Sequence, residues 1–520
     1  MKHFVFLALL AVWLPATIRA ADFYSAGSGI WSAPANWNPA GIPDPFAADD
    51  VTISGHMVDY DGGSSSGYLA AGNGHSITIG PGSLTQFGLS TPMIIGDGAG
   101  AVPSGTLRIQ DGGLFDTGAA FGLIIGGSVN GNTSGDGVAD IADGTVRIGP
   151  GATIQGGGIG VGLDGNRGVL NLGDGLGPAA SALLDLTASG QATGARMGIG
   201  SSALSSTGGN GTLVIHSDGK LIQGTGTIFV GEAGGTGVLT IEAGGQLASA
   251  GGHIHIGDFL GASGGLVSRG TVSGVGELVL GVANAAGTAT IAAGSFQSAS
   301  VYIGRNGGSA TLNVEMASLV GNERVVIGEG GGAGVVNLRN GIIQTAYLEA
   351  SSGGAALNIT TGTLRAHRSE LQFLRGFTGV GSHSAIDFSA SSLTIDANGF
   401  DIGIGQDNAL TGTTLTKIGT GILTIAATQD YEDLEVDAGT VIFNSPFDAG
   451  AVNIHPGAQV IFTVNQSLTA LQIGPNATAI MSDATNSPAP IRPVPEPGCV
   501  AMILLGAAII AVKRPSSHRE

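Results

Sequence analysis

A short apolar run closed by glycine recurs through most of the chain, and no other feature limits the fold so strongly. It reads Met93-Ile94-Ile95-Gly96, Leu123-Ile124-Ile125-Gly126, Ile159-Gly160-Val161-Gly162, Met197-Gly198-Ile199-Gly200, Ile228-Phe229-Val230-Gly231, Ile254-His255-Ile256-Gly257, Leu278-Val279-Leu280-Gly281, Val301-Tyr302-Ile303-Gly304 and Val325-Val326-Ile327-Gly328. Successive closing glycines lie 30, 36, 38, 31, 26, 24, 23 and 24 residues apart, so the period settles near 24. A second element sits between most of these runs: Gly105-Thr106-Leu107-Arg108-Ile109, Gly144-Thr145-Val146-Arg147-Ile148, Gly168-Val169-Leu170-Asn171-Leu172, Gly211-Thr212-Leu213-Val214-Ile215, Gly237-Val238-Leu239-Thr240-Ile241 and Gly334-Val335-Val336-Asn337-Leu338. Leu239 and Ile241 are two apart and share a face, while Thr240 points the other way, as in a one-sided strand.

Strands this short have too little apolar face to stand alone. Joined by glycine corners into coils, they bury that face against the coils above and below. The expected fold is therefore all-β, a right-handed parallel β-helix (β-solenoid). At a spacing of about 4.8 Å, some 16 coils would make a rod of roughly 75 Å. Where the spacing stretches to 36 and 38, Val129 to Asp140 and Gly173 to Ser181 are expected to loop off one side.

Composition agrees. Glycine supplies 94 of 520 residues, yet never in the strict triplet register of collagen, and hydrophobic residues reach 42%, too many for a disordered chain. The formal charge is −19 and no basic cluster precedes the last few residues, which excludes nucleic acid as a partner. Cys499 is the single cysteine, so packing must supply the stability that disulfides give many exported domains.

Residues 1–20 carry Lys2 and His3, the apolar run Phe4 to Leu14, and Ile18-Arg19-Ala20 before Ala21, the layout of a signal peptide cut near Ala20. At the other end, Val494-Pro495-Glu496-Pro497 is followed by 15 uncharged residues, Gly498 to Val512, then by Lys513 and Arg514. As a hydrophobic helix that run would reach about 22 Å, short of the ~30 Å hydrocarbon core but able to span it with local thinning. The cations behind it favour a cytoplasmic C-terminus. Order and position make this tail resemble the PEP-CTERM sorting signal. The resemblance implies processing near Pro495-Glu496-Pro497 by an exosortase, a transient inner-membrane anchor, and delivery to the cell surface or an exopolysaccharide matrix.

Residues 21–84 read as an N-terminal cap with the first strands. Trp31, Trp37, Pro39, Pro43, Pro45 and Asp49-Asp50 concentrate there, and the alternative for the two tryptophans is a carbohydrate-stacking platform. Residues 85–410 form the Gly-rich solenoid, 411–482 a further repeat region, 483–493 a linker, and 494–520 the sorting signal. Within 411–482 stand Leu415-Thr416-Lys417-Ile418-Gly419-Thr420-Gly421-Ile422-Leu423-Thr424-Ile425, Tyr431 and Ala438-Gly439-Thr440-Val441. They resemble the autotransporter-associated β-strand repeat, with Tyr431 at its turn and Ile422 where Thr is usual. The resemblance implies a passenger-like β-helix displayed outside the cell.

Candidate chemistry is thin. Gly63-Ser64-Ser65-Ser66-Gly67 satisfies a nucleophile-elbow pattern by composition alone. His253 and His255 share one strand face and could ligate a transition metal, but without a third ligand a solvated pair is favoured. Asp136, Asp140 and Asp143, near Asn130 and Asn132, echo a calcium loop without its order. No catalytic residue, metal or cofactor is assigned. The function expected is that of a non-catalytic structural or adhesive surface component. A polysaccharide lyase or hydrolase and a glycan-binding module are the alternatives. Two carboxylates in a lateral groove would favour the enzyme, exposed coplanar aromatics the binder, and a Thr/Asn ladder the structural reading.

Overall fold

A computed structural model describes residues 208–482 except 382, 448 and 449, the strands and adjoining turns between 22 and 201, and residues 509–512. Described residues contain one 3₁₀ turn, Pro34–Asn36, and no α-helix. The rest of the regular structure is strand. Three strands make each full coil, and each pairs in parallel with its counterparts on the coils before and after. The pairing is that of a β-solenoid.

The first face runs through Asp50–Ile53, Ser76–Ile79, Ser104–Ile109, Asp136–Ile141, Arg167–Leu172, Asn210–Ile215, Thr236–Ile241, Ser263–Ser268, Ala286–Ile291 and Ser309–Glu315. The apolar-glycine runs form the third face in one unbroken register. Met93, Leu123, Ile159, Met197, Ile228, Ile254, Leu278, Val301, Val325 and Leu348 lie one above another. The second face lies between them, through Gly113–Asp116, Gly144–Arg147, Ala182–Asp185, Gly219–Gln223 and Gln246–Ser249.

Alternation decides what is inside. In Thr236–Ile241 the residues Leu239 and Ile241 are fully buried while Thr236 and Val238 are exposed, and Ala286–Ile291 repeats the pattern. Each buried Leu or Ile contributes about 1.5–3 kcal/mol, so a column of them offsets the ordering cost of the strands. Glycine makes the corner between third and first faces. Gly257 has φ of 69°, and a Cβ there would stand 2.0 Å from the Ala286 carbonyl oxygen of the following coil. No side chain fits such an approach. Further along, strands of two faces merge: Thr271–Val282 passes from the second face to the third, with its register shifting between Val272 and Val275 around Gly274. Toward the C-terminus the interior fills with rings. Tyr431 lies 5.9 Å from Phe388 and 4.9 Å from Phe447, and Phe443 stacks 5.3 Å from Phe462.

Several expectations need correction. Gly144–Arg147 belongs to the second face, because Asp136–Ile141 already holds the first-face position beside Ser104–Ile109. Residues 136–140 are therefore strand and not part of an excursion, while 129–135 lie outside the described residues. Tyr431 is inside the strand Thr428–Val436, with its ring in the core, and not at a turn. The C-terminal hydrophobic helix is not observed. Ile509–Val512 forms a strand antiparallel to Thr478–Ser482, where β-branched residues meet the open edge of the last third-face strand. The remainder of 483–520 lies outside the described residues, and no described helix is long and apolar enough to cross a membrane.

At the N-terminal end, Trp37–Asn38 pairs antiparallel with Asp22–Ser25, on the opposite side from Asp50–Ile53. Trp31 and Trp37 are buried, meet edge-on at 4.8 Å, and are joined by a 2.9 Å bond from Trp37 Nε1 to the Trp31 carbonyl. Their rings offer no exposed stacking platform.

Candidate functional site

Outward side chains of a solenoid fall into columns along the axis, one residue per coil, so chemistry distant in sequence becomes contiguous. Two stretches of surface carry it.

The first is on the first face. Thr290, Asn313, Asn337 and Asn358 occupy one outward column in consecutive register. Asn313 Nδ2 donates to Thr290 Oγ1 at 3.2 Å, Asn337 Nδ2 to Asn313 Oδ1 at 2.8 Å, and Asn358 Nδ2 to Asn337 Oδ1 at 2.9 Å. The next residue of the column, Asp387, turns its carboxylate to the Ser389 hydroxyl and backbone N–H, and both bonds hold it below the usual carboxylate range. Beside the ladder runs a shallow groove of about 420 Å³ over five coils. Thr288, Thr311, Val335 and Ala356 line it, and no charged side chain does.

The second stretch is on the third face. Phe229, His255, Val279, Tyr302 and Val326 form its middle outward column. Val279, Tyr302 and Val326 are buried and make a small apolar cluster apart from the main core. Arg305 and Arg324 lie over the Tyr302 ring at 4.4 and 5.2 Å from its centroid. Burial pushes the Tyr302 phenol above its ordinary value, with Glu277 and Glu329 adding to the shift and the two arginines opposing it. Arg324 is itself held further in its charged form, chiefly by a hydrogen bond with Tyr347.

Arg305 Nε stands 2.7 Å from Glu329 and Nη1 3.7 Å from Glu277, so one guanidinium bridges acids from the coils on either side. His253 Nδ1 is 3.9 Å from Glu277, and His255 Nδ1 is 2.7 Å from Asp258, which is nine-tenths buried. Upstream, Glu232 is engaged by Arg196 and by the Ser201 hydroxyl.

His253 and His255 thus project from one strand face as expected, with ring centroids 6.4 Å apart, and each faces its own carboxylate. Among the described residues no group of three or more His, Cys, Asp or Glu side chains converges as a metal site. Asp136 and Asp140 sit in a strand, while Asp143, Asn130 and Asn132 lie outside the described residues. So do Gly63 to Gly67, Val494, Pro495, Glu496, Pro497, Cys499, Lys513, Arg514 and the leader 1–20.

The ion-pair network was missed in the sequence, although a signal for it was there. Glu232, Asp258, Arg305 and Glu329 each directly follow the glycine of an apolar run, which places them in one column. Compared with known proteins, the chain matches no family model and no curated relative.

Proposed function

We propose that this chain is a non-catalytic, exported β-solenoid, a structural or adhesive component of the cell surface or extracellular matrix. In this reading the coil is right-handed, and Trp31 and Trp37 belong to a cap that occupies the first edge. Residues 494–520 are a sorting signal whose Pro-Glu-Pro motif an exosortase processes, and the uncharged segment after it engages the inner membrane beforehand.

The observation that carries the structural reading is the amide ladder. Asn313, Asn337 and Asn358 spend their side chains on one another along the axis, which stiffens the stack. The ion-pair network of the third face behaves alike, since Glu277 and Glu329 are drawn to Arg305. A carboxylate held by a guanidinium is a poor general base, which weighs against a polysaccharide lyase or hydrolase. The uncharged groove beside the ladder favours a glycan-binding module as the second reading.

Fractionation tests the sorting half: the intact chain is expected in the envelope and a chain ending at residue 493 in the medium. Equal retention of both would overturn it. Sedimentation with insoluble neutral and acidic polysaccharides tests the second reading, and release of reducing ends or unsaturated sugars from them would establish an enzyme instead.

A further inference from the structure

The corner between the second and third faces at residue 417 places a full charge in the dry interior. Lys417 stands in an inward column, with Ile395 above it on the preceding coil and Val436 below it on the next. It is completely buried. Its Nζ donates to the carbonyls of Ile418 at 2.9 Å and Gly419 at 2.7 Å on its own coil, and to the carbonyl of Ala438 at 3.0 Å on the following one. The three bonds together suit an ammonium, which has three donors and no acceptor.

Its surroundings are built for it. Burial disfavours the charged form, and the Asp396 carboxylate, one coil back, offsets part of that cost. Arg365 Nε at 2.8 Å and the Asn398 backbone N–H at 2.8 Å hold that carboxylate in turn. Gly439 leaves the space on the far side, since a Cβ there would stand 2.9 Å from Nζ. A polar chain therefore runs down one corner through four coils, from Arg365 to Asp396 to Lys417 to Ala438. Asp437 on the next coil is half exposed and faces His455.

We propose that Lys417 is a bolt: its Nζ ties the corner at Ile418 and Gly419 to the following coil, so that residues 419–482 open as one unit when this side-chain donor is removed. Stability in a stack of repeats is a sum of neighbour interfaces, so a defect at one interface uncouples what lies beyond it. The Ile418 carbonyl has a second donor in the Ala397 N–H at 3.2 Å. For Gly419 and Ala438 the lysine is the donor that ties their carbonyls across the corner.

Hydrogen exchange of the full chain, read by mass spectrometry, tests this with Lys417→Met. Methionine fills the space and donates nothing. Buried charges are frequently replaced by apolar side chains without loss, so the two roles give opposite results. The bolt requires residues 419–482 to exchange as a block, about tenfold to a hundredfold faster than in the wild type, with 210–345 unchanged. Unchanged or slower exchange in 419–482, or loosening spread evenly into 210–345, would overturn it. Lys417→Gln keeps an amide donor and is expected to give an intermediate rate in the same block. Should the Met variant not fold, wild-type rates in the Gln variant would overturn the proposal alone.

Discussion

Asn337 Nδ2 reaches Asn313 Oδ1 at 2.8 Å across 24 residues of sequence, while its own Oδ1 accepts from Asn358 Nδ2 at 2.9 Å. The middle amide is thus both donor and acceptor in a line parallel to the axis. Two bonds of about 1 kcal/mol each are at stake on a half-exposed surface.

Asn337→Ala should destabilise the coils around residue 337 by about 1–2 kcal/mol. Asn337→Asp should cost more, because it keeps the acceptor for Asn358 but sets a carboxylate against the Asn313 oxygen. Urea titration with exchange on peptides spanning 309–345 measures both. Equal stability of all three proteins would show that the ladder contributes nothing.

Two glycines of similar φ separate conformational cost from steric cost. Gly331 has φ of 80° with open space around its missing Cβ, so Gly331→Ala should cost about 1–2 kcal/mol from the left-handed conformation alone. At Gly257, with φ of 69°, the Cβ would overlap the Ala286 oxygen. Gly257→Ala should therefore displace the corner and cost several times as much. Thermal unfolding of the pair checks the difference.

The same contrast shows what was legible in the sequence. The 24-residue period announced the stack because each closing glycine answers a backbone approach that recurs once per coil. Leu239 and Ile241 read as core for the equally local reason that they alternate with Thr240. Position within a coil was harder. Gly144 and Gly105 open the same five-residue pattern, yet they lie on different faces, since pattern alone does not count the corners between them. The third-face network was hidden because Glu277, Arg305 and Glu329 are neighbours only after coiling. Lys417 shares the face of Leu415 by alternation, but nothing local shows that a lysine can stay buried there, because that depends on a corner whose carbonyls replace the water it loses.

At the N-terminal end, Trp37 bonds the Trp31 carbonyl through Nε1 at 2.9 Å, and both rings are buried. Trp37→Phe keeps most of the ring and removes that one bond, a loss of about 1 kcal/mol. Trp37→Ala opens a cavity and should cost about 3–5 kcal/mol. Quenching of tryptophan fluorescence by iodide reports the result, since an opened end exposes Trp31. Protection of Trp31 in the Ala variant would contradict the packing.

Lys417 makes stability depend on pH in a defined window. Burial lowers its folded value from the ordinary 10.5 to about 8, against the pull of Asp396. Between those values the unfolded chain binds the proton and the folded chain has released it, so folding gains as pH rises. The gain begins near pH 8, is complete above about 10.5, and amounts to at most about 3 kcal/mol, because the three carbonyl bonds favour the ammonium and work against the shift. Below pH 8 both states carry the charge and this contribution is flat. Unfolding of the wild type and Lys417→Met in urea from pH 7 to 10.5 isolates it. The wild type should gain on the variant as pH rises, and parallel curves would show that the ammonium keeps its proton throughout.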